Sequence, residues 1–196
     1  MEKTPGYFYG NTTALRIKQM NENTKIIMIF KDPVEVAISI YAMWKAHKRP
    51  EVDGKNFVGM VTVTDENGKL KVNESSKIIQ LCKYVLHAKT WIDIFGKKQV
   101  YAIDGSSFEV HPFKELKLLE NFLNIKDFFR NDHFTFSKTK KKFCFSETSN
   151  DVQCLPPSKG RDHPNVSEEV KSLLKDYLKP FNERFVNLVN RTFVWS

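Results

Sequence analysis

The chain has 196 residues, 41% hydrophobic and 13% aromatic, which is the length of one domain with material for a core and excludes a disordered polymer. Lysine and arginine number 31 against 23 aspartate and glutamate, a formal charge of +8 with a pI near 9.3, so anionic partners are favoured: nucleotides, glycosaminoglycans or nucleic acids. No apolar run has transmembrane length and the opening Met-Glu-Lys-Thr-Pro is no signal peptide, so the literal reading is a soluble, cytosolic chain.

In chain order, Glu2 to Phe8 supplies a Pro-Gly turn followed by aromatic residues, and residues 11–23 read as a short helix whose apolar contacts come from Leu15, Ile17 and Met20. Ile26 to Phe30 is a continuous apolar run, too short for a helix, as expected of a strand covered on both faces. It stops at Lys31, Asp32 and Pro33. Asp32 can accept the orphan N–H groups of a helix start, Pro33 has the fixed φ of a first helical position, and Glu35 sits where a capping-box carboxylate reaches back. Val34, Ala37, Ile38 and Tyr41 then face the sheet at helical spacing. Ser39, seven residues after Asp32, returns to the Asp32 side, so Lys31 and Ser39 can touch one ligand. The local pattern alone favours an ordinary strand-loop-helix unit of an α/β protein, with Lys31 solvated and Ser39 merely tolerated.

Residues 45–76 lose periodicity and read as a loop with a hairpin, alternating over Val58 to Thr64 and turning at Asp65 to Gly68. Ser76 to Phe95 reads as one amphipathic helix with Ile78, Ile79, Cys82, Val85, Leu86, Trp91 and Phe95 on its apolar face. A short strand, Gln99 to Ile103, closes at Asp104-Gly105, and a helix follows over Pro112 to Leu123. Strand, helix, strand, helix points to a parallel sheet. His133 to Phe145 alternates and then turns basic, either a charged hairpin or, with its aromatics and lysines, an RNA-binding surface. No ribonucleoprotein motif or zinc-finger spacing supports the latter.

Cys144 and Cys154 bracket a polar segment whose spacing suits a local disulfide, though both could be free, and Cys82 lies in an apolar helical pattern as a buried thiol. Sequons at Asn11, Asn73, Asn165 and Asn190 are compatible with secretory passage. In the loop beyond Cys154, Gly160 lets the backbone approach a ligand, and Lys159 and Arg161 offer charge-assisted donors. Ser167 caps a helix that Pro180 separates from a last one carrying Phe181, Phe185, Leu188 and Val189.

Several of these stretches resemble one family, the Golgi sulfotransferases of heparan sulfate, and most of all the glucosamine 3-O-sulfotransferases. The segment from Phe30 to Tyr41 is similar to the family's 3′-phosphate-binding segment, with Lys31 where the family has arginine and Ser39 at the family's serine. Glu2 to Phe8 resembles its Glu-Lys-Ser/Thr-Pro-x-Tyr-Phe segment; Tyr84 and Trp91, Phe122 to Ile125, and the Arg191 to Trp195 ending each match family positions. His133 to Cys144 resembles the stretch leading into the family's disulfide, and Lys159 to Pro164 its Lys-Gly-Arg-x-His-Pro loop. Residues 45–76 match least.

The resemblance implies an α/β, P-loop-kinase-like sulfotransferase fold with a central parallel sheet, one domain over 1–196 lacking the first strand and phosphosulfate loop at its N-terminus. It implies sulfuryl transfer from 3′-phosphoadenosine 5′-phosphosulfate (PAPS) to a heparan sulfate hydroxyl. Lys3 would serve catalysis; Lys31, Ser39, Lys159, Gly160, Arg161, Asp162 and His163 would bind PAPS; Lys3, Thr4, Pro5 and Gly6 would meet the acceptor. It also implies a Cys144–Cys154 disulfide, no metal, no nucleic-acid partner and no membrane contact from this segment. The location implied is the Golgi lumen, the full-length product being a type II membrane protein. Because the family's phosphosulfate loop and general base precede the Glu-Lys-Thr-Pro segment, the chain as given should transfer poorly. The alternative is an inactive nucleotide- or glycan-binding remnant.

Overall fold

Strand β1, Ile26–Phe30, pairs in parallel with β4, Val100–Asp104, in the register Ile26 to Val100 through Phe30 to Asp104. A computed structural model describes residues 1–10, 12–139, 142–147, 152–154 and 162–195 of the chain. Before β1 come a 3-10 turn, Pro5–Tyr9, and helix α1, Thr13–Met20. Helix α2, Pro33–Ala46, follows β1 directly, and the crossover to β4 runs through α3, Phe57–Val61, the hairpin β2, Thr62–Thr64, with β3, Leu70–Val72, and helices α4, Lys77–Cys82, and α5, Tyr84–Phe95. After β4 come α6, Gly105–Val110, α7, Pro112–Leu123, and a three-stranded antiparallel sheet of β5, Phe134–Ser137, β6, Lys142–Ser146, and β7, Val152–Gln153. The last helix, α8, runs from Glu168 to Val189. The expected α/β class with parallel strands is what forms.

Two apolar clusters hold these elements. Val34, Ala37, Ile38 and Tyr41 of α2 pack with Phe57, Ile78, Ile79, Cys82 and the first half of α8. The second gathers Phe30, Tyr84, Trp91 and Phe185, with Phe8 and Phe193 arriving from the two ends of the chain.

Five expectations need correction. β1 is not covered on both faces: its side chains alternate, Met28 and Phe30 entering the aromatic cluster while Ile29 points to the opposite face and is 60% exposed. In α1 the contacts come from Ala14 and Ile17, while Leu15 and Met20 point to solvent, since burying Ala14 at 0% exposure fixes which face turns inward. Val58 to Val61 is helical, started by Asn56, whose side chain accepts the Gly59 amide at 2.8 Å, so the hairpin begins only at Thr62. The helix over 76–95 breaks at Lys83, which leaves the helical region at ψ 68° and rests its ammonium 5.3 and 4.9 Å from the Tyr177 and Phe181 rings; Leu86 falls outside the buried face at 45% exposure. Pro180 does not divide the last helix. Val170, Leu174, Leu178 and Phe185 form one buried stripe across it, and that packing holds α8 continuous despite the missing N–H.

Candidate functional site

The turn after β1 is built as the sequence dictates. Asp32 accepts the Val34 amide at 2.8 Å and its carbonyl takes the Val36 amide at 2.9 Å, while Glu35 stays exposed. Behind the turn, Tyr84 donates its hydroxyl to the Lys31 carbonyl at 3.2 Å. Burial pushes that phenol well above its ordinary range, so it remains a protonated donor. Cys82 is a free, buried thiol, pushed up to about 12 by burial and then by the Asp32 carboxylate, which keeps it unreactive at neutral pH.

Lys31 projects its side chain from this turn to an ion pair with Glu109 of α6; the two side chains are 43% and 62% exposed. Ser39 lies exposed on α2, away from the buried face of Val34, Ala37, Ile38 and Tyr41. Lys31 and Ser39 therefore stand on one strand-turn-helix unit, at the carboxyl end of a parallel strand, where open α/β sheets bind ligands. An ammonium and a hydroxyl there are donors of the kind a phosphate takes.

Lys3, Thr4, Pro5 and Gly6 are all exposed. Their segment is tethered through Phe8, whose carbonyl accepts the Trp91 indole N–H at 3.2 Å and whose ring lies 5.5 Å from Phe30, the residue before Lys31. Asp162 and His163 are exposed, and the chain after them enters the α2 cluster at Val166. Lys159, Gly160 and Arg161 lie outside the described residues. The Cys144–Cys154 disulfide is present. Among the described residues no cluster of three or more His, Cys, Asp or Glu could hold a metal ion, and no helix is long and apolar enough to cross a membrane.

Sequence reasoning did not find Glu109. It sits 78 residues from Lys31, on a helix too short to show periodicity, and no local signal marks the pairing.

A parallel strand feeding a capped helix, with a half-exposed ammonium in the connecting turn and an exposed hydroxyl about two turns along the helix, is the frame of an α/β protein. The chain belongs to the sulfotransferase family, whose sulfotransferase domain matches residues 11–192. It is 34% identical over 198 residues to heparan sulfate glucosamine 3-O-sulfotransferase 3B1 of Mus musculus, covering 100% of this chain and 50% of that protein. To heparan sulfate glucosamine 3-O-sulfotransferase 5 of Homo sapiens it is 30% identical over 195 residues, covering 100% of this chain and 56% of that protein. The chain thus spans about half the length of the curated relatives it matches. Among solved structures, a sulfotransferase from Alicyclobacillus acidocaldarius superposes with a TM-score of 0.60 at 17% identity over 95% of this chain and 62% of that one, a likeness of fold.

Proposed function

We propose that the chain takes part in sulfuryl transfer from PAPS to a hydroxyl of heparan sulfate, the 3-O position of glucosamine. The observation that carries the reading is the Lys31–Asp32–Pro33 turn of a sulfotransferase-family chain, where Asp32 caps the helix, Ser39 is exposed, and Lys31 is engaged by a solvent-screened pair with Glu109 that a 3′-phosphate could replace. PAPS brings the activated sulfuryl group. The chain's own residues bind and orient: Lys31 and Ser39 at the 3′-phosphate, and the loop of Lys159, Gly160, Arg161, Asp162 and His163 over the nucleotide. Lys3 offers its charge beside the sulfuryl oxygens, and Thr4, Pro5 and Gly6 lie on the acceptor side. A disulfide suits an oxidising compartment, and the proposed location is the Golgi lumen.

Residues 1–196 would act as part of a longer sulfotransferase domain, and the exposed Ile29 on β1 favours that view, because a parallel strand is ordinarily buried on both faces. Expressed alone, the chain would bind nucleotide and transfer poorly, which is also how an inactive remnant would behave. Calorimetry with adenosine 3′,5′-bisphosphate tests the site: Ser39→Ala should lose about 1.5–3 kcal/mol, the range for a hydrogen bond to a charged group. Unchanged affinity in both Ser39→Ala and Lys31→Ala would end the reading. Transfer of label from PAPS to heparan sulfate by the chain and by its longer form, with disaccharide mapping of the product, separates enzyme from remnant and reads the position sulfated.

A further inference from the structure

We infer that Glu109 is a specificity-setting residue of the 3′-phosphate site, holding the Lys31 ammonium when no nucleotide is bound and yielding it to an incoming phosphate. The inference rests on Lys31 being a phosphate ligand, as proposed above. Asp104 ends β4 and caps α6 by accepting the Ser106 and Ser107 amides at 2.9 and 3.1 Å, which starts the helix directly beside the β1 turn. Gly105 permits that closeness: a Cβ there would lie 2.9 Å from Lys31 Cγ, 2.9 Å from the Phe30 carbonyl oxygen and 3.2 Å from Ile29 Cγ2. Residues four apart share a helix face, so Glu109 rises from the face that touches Lys31, and its carboxylate meets Nζ.

The pair is suited to exchange. At 43% and 62% exposure it is a solvent-screened contact of small net strength, unlike a buried pair that would lock the lysine away. An ammonium has three donors, but a phosphate sharing it with Glu109 would bring two anions within a few ångströms of each other, and like charges at that range repel. A nucleotide with a 3′-phosphate must therefore displace the carboxylate, whereas one without it leaves the pair intact. Glu109 opposes the former selectively.

The test compares adenosine 3′,5′-bisphosphate with adenosine 5′-monophosphate by calorimetry on the wild type, Glu109→Gln, Glu109→Asp, Lys31→Ala and the Lys31→Ala/Glu109→Gln pair. Glu109→Gln should tighten the bisphosphate about three- to tenfold, from loss of a surface ion pair and of like-charge repulsion, and leave the monophosphate unchanged. Glu109→Asp should stay near wild type, and Glu109→Gln should do nothing once Lys31 is Ala. A merely structural role would move both nucleotides together. Equal effects on the two nucleotides, no gain in Glu109→Gln, or the full gain surviving in the Lys31→Ala background overturns the inference. A bisphosphate preference indifferent to Lys31→Ala instead removes the reading of the site itself, and the inference with it.

Discussion

Replacing Glu115 or Arg191 probes how the C-terminal segment is fastened to the strand pair. Arg191 Nη2 donates to both Glu115 carboxylate oxygens at 2.7 and 2.6 Å, and Nη1 donates to the Tyr101 hydroxyl at 2.9 Å and the Ala102 carbonyl at 2.6 Å. Removing one partner of a buried ion pair costs about 3–5 kcal/mol, because the other charge is left without compensation. The two sides are not equivalent. Arg191 keeps 20% side-chain exposure and its two other acceptors, whereas the Glu115 side chain is 3% exposed with Arg191 as its donor. Glu115→Ala is therefore expected at the lower end, about 3 kcal/mol, and Arg191→Met at the upper, about 5 kcal/mol. In a chain of this size each kcal/mol moves Tm by about 2–4 °C, so the shifts should be about 6–12 °C and 10–20 °C. Circular-dichroism melts of the singles and of Glu115→Leu/Arg191→Met read both the asymmetry and the coupling, the double being more stable than the sum of its parts by at least about 1 kcal/mol. Singles within a degree or so of wild type, or strictly additive losses, would refute the reasoning.

Two further perturbations follow from side chains away from the nucleotide turn. Glu120 is buried and held by Lys117 at 2.8 Å and by the Phe128 and Phe129 amides at 2.6 and 2.9 Å; Lys117 first, then these amides, lowers its carboxyl from 4.5 to about 2. A carboxyl depressed in the folded state contributes stability that is complete above its unfolded value and lost as pH falls through the folded one. Glu120→Gln should therefore flatten the acid limb of stability between about pH 4.5 and 2, measured by urea melts across that window, and an unchanged slope would count against the assignment. Cys144→Ser opens a disulfide closing a separation of 10 residues, which the chain-entropy account values at about 2–3 kcal/mol. A reductant should reproduce that loss in the wild type and leave the variant's melting temperature unmoved.

What the sequence disclosed is what short-range chemistry decides. Asp32 and Pro33 mark a helix start whatever surrounds them, and α2 begins where they say. The apolar phase of Val34, Ala37, Ile38 and Tyr41 likewise names the buried face, because 3.6 residues per turn leaves no alternative. The misreadings are those in which distant packing overrode local preference. Pro180 is a helix breaker on its own, yet α8 continues through it because both apolar clusters need the same stripe of side chains. Lys83 interrupts a good amphipathic pattern without Gly or Pro, its ammonium covered by rings from a helix nearly a hundred residues later in the chain. The burial of Glu115 and Glu120 has no signal in the sequence: beside the local Lys117, the groups that hold them, Arg191 and the Phe128 and Phe129 amides, are brought up only by folding.

The candidate site shows the same division. Its residues are local, but their support is not. Phe30, directly before Lys31, has ring neighbours from four segments: Phe8 at 5.5 Å, Tyr84 at 5.0 Å, Phe185 at 4.6 Å and Phe193 at 6.3 Å. Tyr84 then holds the Lys31 carbonyl, and Arg191 and the Val194 amide, the latter on Asp104 at 2.8 Å, bring the C-terminus against the strand from which α6 and Glu109 depart. Aromatic packing of this kind resists displacement because each ring fills space the others define. The turn is consequently placed by the ends and the middle of the chain together, while the two groups that would meet an anion, Lys31 and Ser39, stay at the surface. A backbone fixed by packing beneath exposed, exchangeable side chains would lower the ordering cost of binding an anion there without burying an uncompensated charge.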